Sequence, residues 1–406
     1  MWFDLGEPDV ESIMHQIAKT EALMMSIKFP VGGSLYYTKD LGGAGGDRAI
    51  PLRGREFCIG PDARPSSLIG FIDGCYLDKS VEAALIRGAQ KEKIYLQKFG
   101  RPLLPYDRAK RAGCRYQEQL PSTHIENLDR YLLIAPSLIP GTPSARNFII
   151  RHPELDPSSI MISRSADSPE LKISGLLSWQ NTAILPAFLR VGAPPGMQDW
   201  GDPLSDSLTR PSLPENFGRM EEAARKEVKL DYLRKLFFFH YFFSTTRQNG
   251  PHRELFKDPI QIWMLRNYLF ENASNPWNGE TLPLKFTLIN AVKGWKMLRQ
   301  LASPEGPAGI FDSTAERCPI SFDKQDVQET EKLHIEQEEN FGPLAEVREY
   351  ICQDLEGRVP NEHYDESMAR SRLFKEQLLG TAETDEDRAE IQKHYPFQDM
   401  DETPYQ

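Results

Sequence analysis

The sequence predicts an α+β fold that is predominantly helical. Two patterns carry this reading. Apolar residues recur at helical spacing in long stretches near the start and through the second half of the chain, while strand-like runs are short and confined to residues 147–179. The size agrees: 406 residues, with 40% hydrophobic and 26% charged side chains, suffice for one large or two modest globular domains and do not suit a disordered chain.

Taken in order, Pro8 to Phe29 reads as an amphipathic helix with Ile13, Ile17, Leu23, Met24 and Ile27 on its apolar side, stopped by Pro30 and the Val31-Gly32-Gly33 turn. Gly42 to Gly46 reads as a flexible loop, because a phosphate-cradling glycine loop needs a strand before it and a strand or helix after it. Val81 to Phe99 is the second helix. His124 to Leu133 is the third, with Pro121-Ser122-Thr123 as its capping region. Asn147–Ile150, Ile160–Ser163 and Leu171–Trp179 are strands, the last two joined as a hairpin through Asp167-Ser168-Pro169. Arg219 to Ser244 is a helix, apolar nearly all round from Leu230 onward and therefore buried, with His240 a hydrogen-bonded core residue inside it. A further helix spans Leu282 to Leu301, and Ser303 to Pro319 reads as a linker. These elements give a body over 1–322 and a charged helical extension over 323–406, with Leu333, Phe341, Leu344, Val347 and Ile351 as its thin apolar stripe.

Charge and cysteine usage exclude several classes. The formal net charge is −11, and residues 323–406, with 23 acidic against 9 basic side chains, carry more than all of it. An acidic extension on a near-neutral body argues against nucleic acid, whose phosphates require clustered Lys and Arg. The extension reads first as a solvated helix packed on the body, with an acidic surface for an unidentified protein partner as the alternative. The longest apolar run, Leu236 to Phe243, is eight residues, far short of a membrane span. Five scattered cysteines with no C-x-x-C exclude a disulfide framework and suit a reducing compartment. No presequence is visible, since acidic residues precede the first basic one, Lys19. G-x-S-x-G, H-E-x-x-H and G-x-G-x-x-G are all absent, and the eight histidines show no metal-ligand spacing.

The segment that bears on chemistry is His152-Pro153-Glu154-Leu155-Asp156-Pro157-Ser158-Ser159-Ile160, followed nineteen residues after Ser159 by Ser178 in Gly175-Leu176-Leu177-Ser178-Trp179-Gln180. Strand, loop with a carboxylate, strand, turn and strand with a polar end is the frame on which kinase-like phosphotransferases place a base for the acceptor hydroxyl and two Mg²⁺ ligands. Together with Phe29-Pro30, Gly33 to Tyr37, Ile59-Gly60-Pro61, Ile173 to Gln180, Leu185 to Leu189, Leu213 to Phe217 and Cys318 to Phe322, taken in order, the segment resembles the fungal branch of the aminoglycoside-phosphotransferase family, close to its altered-inheritance-of-mitochondria protein 9 group. The resemblance implies the C-terminal lobe of a protein-kinase-like fold, Mg-ATP as the family's cofactor and a mitochondrial location; without a presequence the chain itself reads as cytoplasmic.

Three departures set the functional expectation. Glu154 stands where the family has its catalytic Asp, Ser159 where it has a metal-binding Asn, and Ser178 where it has a second metal-binding Asp. Losing a carboxylate at 178 removes a full negative charge from a hard-cation site, and the extra methylene of Glu154 shifts its oxygens by roughly 1 Å, enough to cost ~10²-fold in rate where geometry dominates. Asp156 is the one nearby carboxylate that could substitute, or else it caps a turn. No strand Lys paired with a helical Glu precedes His152, so the β-rich ATP-clamping lobe is expected to be missing, because the protein lacks it or because it lies upstream. The expectation is a degenerate phosphotransferase relative with a binding or scaffold role and no cofactor. The alternative is a residual ATP-dependent enzyme acting on a small hydroxylated substrate. His152 is expected to brace the loop, and Trp179 and Gln180 to pack the hairpin on the helical body.

Overall fold

The computed structural model describes residues 5–41, 49–54, 56–64, 77–164, 170–194, 197–198, 205, 207–302, 317–352, 359 and 361–397. The chain is α+β and mostly helical, with three small antiparallel sheets among the described residues. No helix among the described residues is long and apolar enough to cross a membrane. The chain divides into two units: 1–88, 134–274 and 294–317 form the first, and 89–133, 275–293 and 318–406 the second. The Gly42–Gly46 loop, the Asp167–Pro169 turn and most of the Ser303–Pro319 linker lie outside the described residues.

In the first unit, Glu7–Ser26 forms α1. Its buried face is Val10, Ile13, Met14, Ile17, Ala18, Glu21 and Met25, whereas Leu23 and Ile27 are exposed. The expected stripe therefore held at Ile13 and Ile17 and failed beyond them, where the helical period carries the buried arc through Glu21 and Met25 instead. The partner of α1 is the long helix α4, Glu222–Gln248, which contributes Leu233, Leu236, Phe237, Phe238, Tyr241 and Phe242 to a common core. Each fully buried side chain of this kind stabilises by roughly 1.5–3 kcal/mol, so this seam is a main source of cohesion in the unit. His240 sits inside it, with Nε2 3.4 Å from Glu7 Oε1.

Three short strands precede the central region, and the sequence reading missed them. They are β1 (Ser34–Tyr37), β2 (Ile50–Pro51) and β3 (Phe57–Gly60), in the order β1-β3-β2. Gly33 makes the entry to β1 possible: its φ is +147°, and a Cβ there would lie 2.2 Å from the Gly60 carbonyl oxygen. Further strands are β4 (Phe148–Ile150) paired with β7 (Ile184–Pro186), and β5 (Ile160–Arg164) paired with β6 (Leu171–Leu176). The amide of Gln16 acts as an extra ladder partner for β6, donating to the Leu171 carbonyl at 2.8 Å and accepting from the Ile173 N–H at 3.0 Å. The start of α2 (Val81–Phe99) and the helices α5 (Gly250–Leu255), α6 (Ile260–Ser274) and α8 (Trp295–Ala302) complete the unit.

The second unit holds the rest of α2, most of α3 (Pro121–Ile134), α7 (Leu282–Lys293), α9 (Lys324–Tyr350), α10 (Tyr364–Gly380) and α11 (Asp385–His394). Pro121 opens α3 as part of its first turn, where a missing N–H costs nothing, instead of lying before it. The helix expected over Leu282–Leu301 is two helices, broken at Gly294, and the division between units falls at that break. The acidic extension shares this unit with 89–133 and 275–293. Phe286 of α7 stacks on His334 of α9 at 3.7 Å, and the Arg108 guanidinium donates to the Tyr395 carbonyl at 3.0 Å. Thr330 and Gln337 are buried on α9 together with the half-buried Leu333, so its inward stripe is more polar than the sequence suggested.

Candidate functional site

The loop from His152 to Ser159 leaves β4 and enters β5, and the chain returns to it at the end of β6. The Leu177 peptide joins the two ends. Its N–H donates to the Ser159 carbonyl at 2.8 Å, and its carbonyl lies 2.6 Å from His152 Nε2. A carbonyl can only accept, so the His152 ring carries its proton on Nε2 in this arrangement. The Trp179 ring stands edge-on to His152 at 4.7 Å, and its Nε1 donates to the Leu176 carbonyl. His152 thus braces the loop as expected. Trp179 packs on His152 while staying 40% exposed, and Gln180 is exposed.

Of the four residues in the expected catalytic and metal positions, Asp156 and Ser159 are occupied with the loop's own structure. Asp156 Oδ1 accepts from the Ser158 N–H at 2.7 Å, the Ser158 hydroxyl at 2.6 Å and the Ser159 N–H at 2.9 Å. This is an Asx turn, for which Asp156-Pro157-Ser158 is the sequence signal. Ser159 is buried; its hydroxyl accepts from the Asp156 N–H at 3.0 Å and lies within donating distance of the Asp156 carbonyl, at 2.9 Å, and the Glu154 carbonyl, at 3.3 Å. Glu154 and Ser178 are exposed. Ser178 has φ of +62°, a left-handed conformation that Asn, Asp and Gly adopt more readily than Ser. No three His, Cys, Asp or Glu side chains among the described residues are placed to hold a metal ion.

A cleft of about 400 Å³ lies between β1 and residues 179–182. Ser34 sits on its wall, donating to the Thr182 carbonyl at 3.2 Å and accepting from the Ala63 N–H at 3.0 Å. Tyr36 and Trp179 supply aromatic surface. Sequence reasoning placed Ser34 and Tyr36 in a resemblance block without a role; their pairing with residues 57–63 is non-local and leaves no local signal.

Behind the loop lies a buried ionic network. Arg151 donates through Nε to Glu21 Oε1 at 2.6 Å, through Nη1 to the Arg190 carbonyl at 2.7 Å, and through Nη2 to the Gly192 carbonyl and the Tyr241 hydroxyl. Tyr241 in turn donates to Glu21 Oε2 at 2.7 Å. Burial pushes the Tyr241 phenol well above its ordinary range. For Arg151, burial is the largest single influence and works to lower the value, but Glu21 and Tyr241 together, by attraction and hydrogen bonding, hold the guanidinium above its ordinary value. The network fixes the residue immediately before His152 against α1 and α4.

The chain is similar to two fungal proteins. Over an alignment of 440 positions it is 26% identical to a subtelomeric hrmA-associated cluster protein of Aspergillus fumigatus, covering 99% of this chain and 80% of the relative. The protein of the same description from a second strain of that fungus matches to the same extent. No protein-family model and no solved structure matches the chain.

Proposed function

We propose that the chain is a degenerate relative of the kinase-like aminoglycoside phosphotransferases, in which the catalytic loop survives as a brace and the protein serves as a binding or scaffold component. The observation that carries this reading is the internal use of the site. Asp156 Oδ1 takes three hydrogen bonds from its own turn and the Ser159 hydroxyl is engaged with its own loop's backbone. A serine, not a carboxylate, follows the clamped Leu177 peptide. A Mg²⁺ site for nucleotide phosphates relies on one or two carboxylates, and here Glu154 is the member of the triad that retains one.

A second reading, a residual ATP-dependent phosphotransferase acting on a small hydroxylated substrate, draws on the cleft of about 400 Å³ lined by Tyr36 and by Trp179, the residue after Ser178. Calorimetric titration with ATP, with and without Mg²⁺, separates the two. The degenerate reading expects no Mg²⁺-dependent heat from the native chain. Binding that requires Mg²⁺, followed by transfer to a hydroxylated acceptor, would overturn it. The Glu154→Asp, Ser159→Asn, Ser178→Asp variant is expected to gain Mg²⁺-dependent nucleotide binding if the triad is the limiting defect.

A further inference from the structure

In the second unit, the short 3-10 helix Arg108–Cys114 runs into two successive left-handed residues, Arg115 and Tyr116, each with φ of +55°. Residues other than glycine hold that conformation at a cost and persist in it where their surroundings keep them there. The end of α11 is packed on this turn. The ring of His394, the last residue of α11, lies on the Tyr116 ring with centroids 4.7 Å apart, and Arg108 donates to the carbonyl of the next residue, Tyr395, at 3.0 Å. Tyr395 is buried, and its hydroxyl donates to the Ser371 carbonyl of α10 at 2.7 Å. The turn held in this way supplies Lys110, Cys114 and Arg115 to the wall of a cleft of about 220 Å³.

The decisive contact is between His394 Nδ1 and Arg111 Nη1, 3.4 Å apart. A guanidinium only donates, so Nδ1 carries a lone pair and the ring proton sits on Nε2. Arg111 is fixed: it is buried, and its Nε donates to the Pro105 carbonyl at 2.9 Å. A second proton on the ring therefore removes the hydrogen bond and sets two N–H donors against each other. The surroundings act in the same direction. Burial, Arg111, Lys393 and Arg108 oppose a charged ring, whereas Glu390, one turn earlier, and the carbonyl end of α11 favour one. From α10, Lys375 lies over the Tyr395 ring at 5.4 Å and adds a further cation. The opposition prevails, and the His394 ring titrates below its ordinary value.

We propose that His394 is an acid-released latch: its neutral ring holds the end of α11 on the 108–116 turn, and its protonated ring lets that end lift away, loosening one wall of the cleft. The docked ring refuses a proton that the released ring accepts. Docking is therefore complete above pH ~6.5 and weakens as the pH falls, by at most about tenfold for each pH unit. No residue of the His152–Ser178 region takes part, so the latch stands or falls apart from the phosphotransferase reading.

Hydrogen exchange of the full chain, read by mass spectrometry over residues 385–397, follows the latch at about pH 7.5 and about pH 5, on either side of the histidine range. The native chain is compared with His394→Phe, whose ring can keep the Tyr116 contact and does not titrate. Comparison at the same pH cancels the intrinsic pH dependence of exchange and the titration of groups common to both chains, such as Asp78. Acidification is expected to cut the protection of the native segment by about threefold or more relative to the variant. Equal changes in the two chains overturn the proposal, and so does a native segment unprotected at both pH values. NMR titration of the native chain supplies an independent reading, with the His394 ring signal assigned by its absence from the variant. That signal is expected to titrate below about 6.5, and a ring titrating at or above that value overturns the proposal. Should His394→Phe fail to fold, His394→Gln replaces it in both measurements.

Discussion

Ser178 holds a left-handed backbone at φ +62° while its side chain is exposed. Glycine escapes the roughly 1–2 kcal/mol that a left-handed conformation costs an L-residue, while its freer unfolded chain offsets about 0.4–1 kcal/mol of that, so Ser178→Gly is expected to raise stability by up to about 1 kcal/mol, read as an upward shift of the denaturant midpoint. The backbone there also accommodates Asp, which is why the Ser178→Asp change is a fair test of lost chemistry. His124 makes a different prediction. It is buried against Trp277, its two ring nitrogens have no hydrogen-bond partner among the described residues, and burial lowers its pKa from 6.5 to about 4. The unfolded chain therefore takes up a proton that the folded chain refuses. Stability is complete above pH ~6.5 and falls as the pH drops towards ~4, by about 3 kcal/mol from this residue alone. His124→Phe should flatten that slope in urea melts run at several pH values; an unchanged slope would assign it to other groups.

The elements around the candidate site are tied through Glu21 of α1, Arg151 after β4 and Tyr241 of α4, all buried. Removing one member of a buried ion pair leaves an uncompensated charge, so Glu21→Ala is expected to cost about 3–5 kcal/mol. Replacing the trio together by Leu, Met and Phe should cost much less, because no charge is then stranded. Chemical denaturation of both variants checks the contrast. Much at this level was readable in advance. Helix α2 has the bounds its apolar spacing indicated, and β5 and β6 pair as expected, because their signals lie within a few consecutive residues. Strands β1 to β3 were not readable: they are two to four residues long, too short to show alternation, and their register depends on the Gly33–Gly60 approach. The loop was visible as a motif. The double clamp on Leu177 was not, since it joins backbone groups whose meeting is set by the fold of the hairpin.

For the molecule as a whole, the consequential assignment is that residues 318–406 share a unit with 89–133 and 275–293. The sequence placed a boundary at 322, after the Ser303–Pro319 linker and where the acidic helical extension begins. Truncation after Phe322 would strip Phe286 of its stacked partner and leave Lys285 without Asp326. The truncated chain is expected to lose more helical circular dichroism than the removed residues contribute, and to bind a hydrophobic dye. Loss limited to the removed residues would mean that 323–406 is an independent appendage. The Gln16 amide has a different reach. Strand margins with free N–H and C=O groups are templates on which a second chain can add itself, and proteins guard them with charge, proline or cover. Along β6 one margin is occupied by a single side chain, borrowed from α1, that imitates a peptide group in both directions. That margin of the hairpin stays covered for as long as α1 stays docked, and detachment of the helix would bare the Leu171 carbonyl and the Ile173 N–H as a template for a foreign strand.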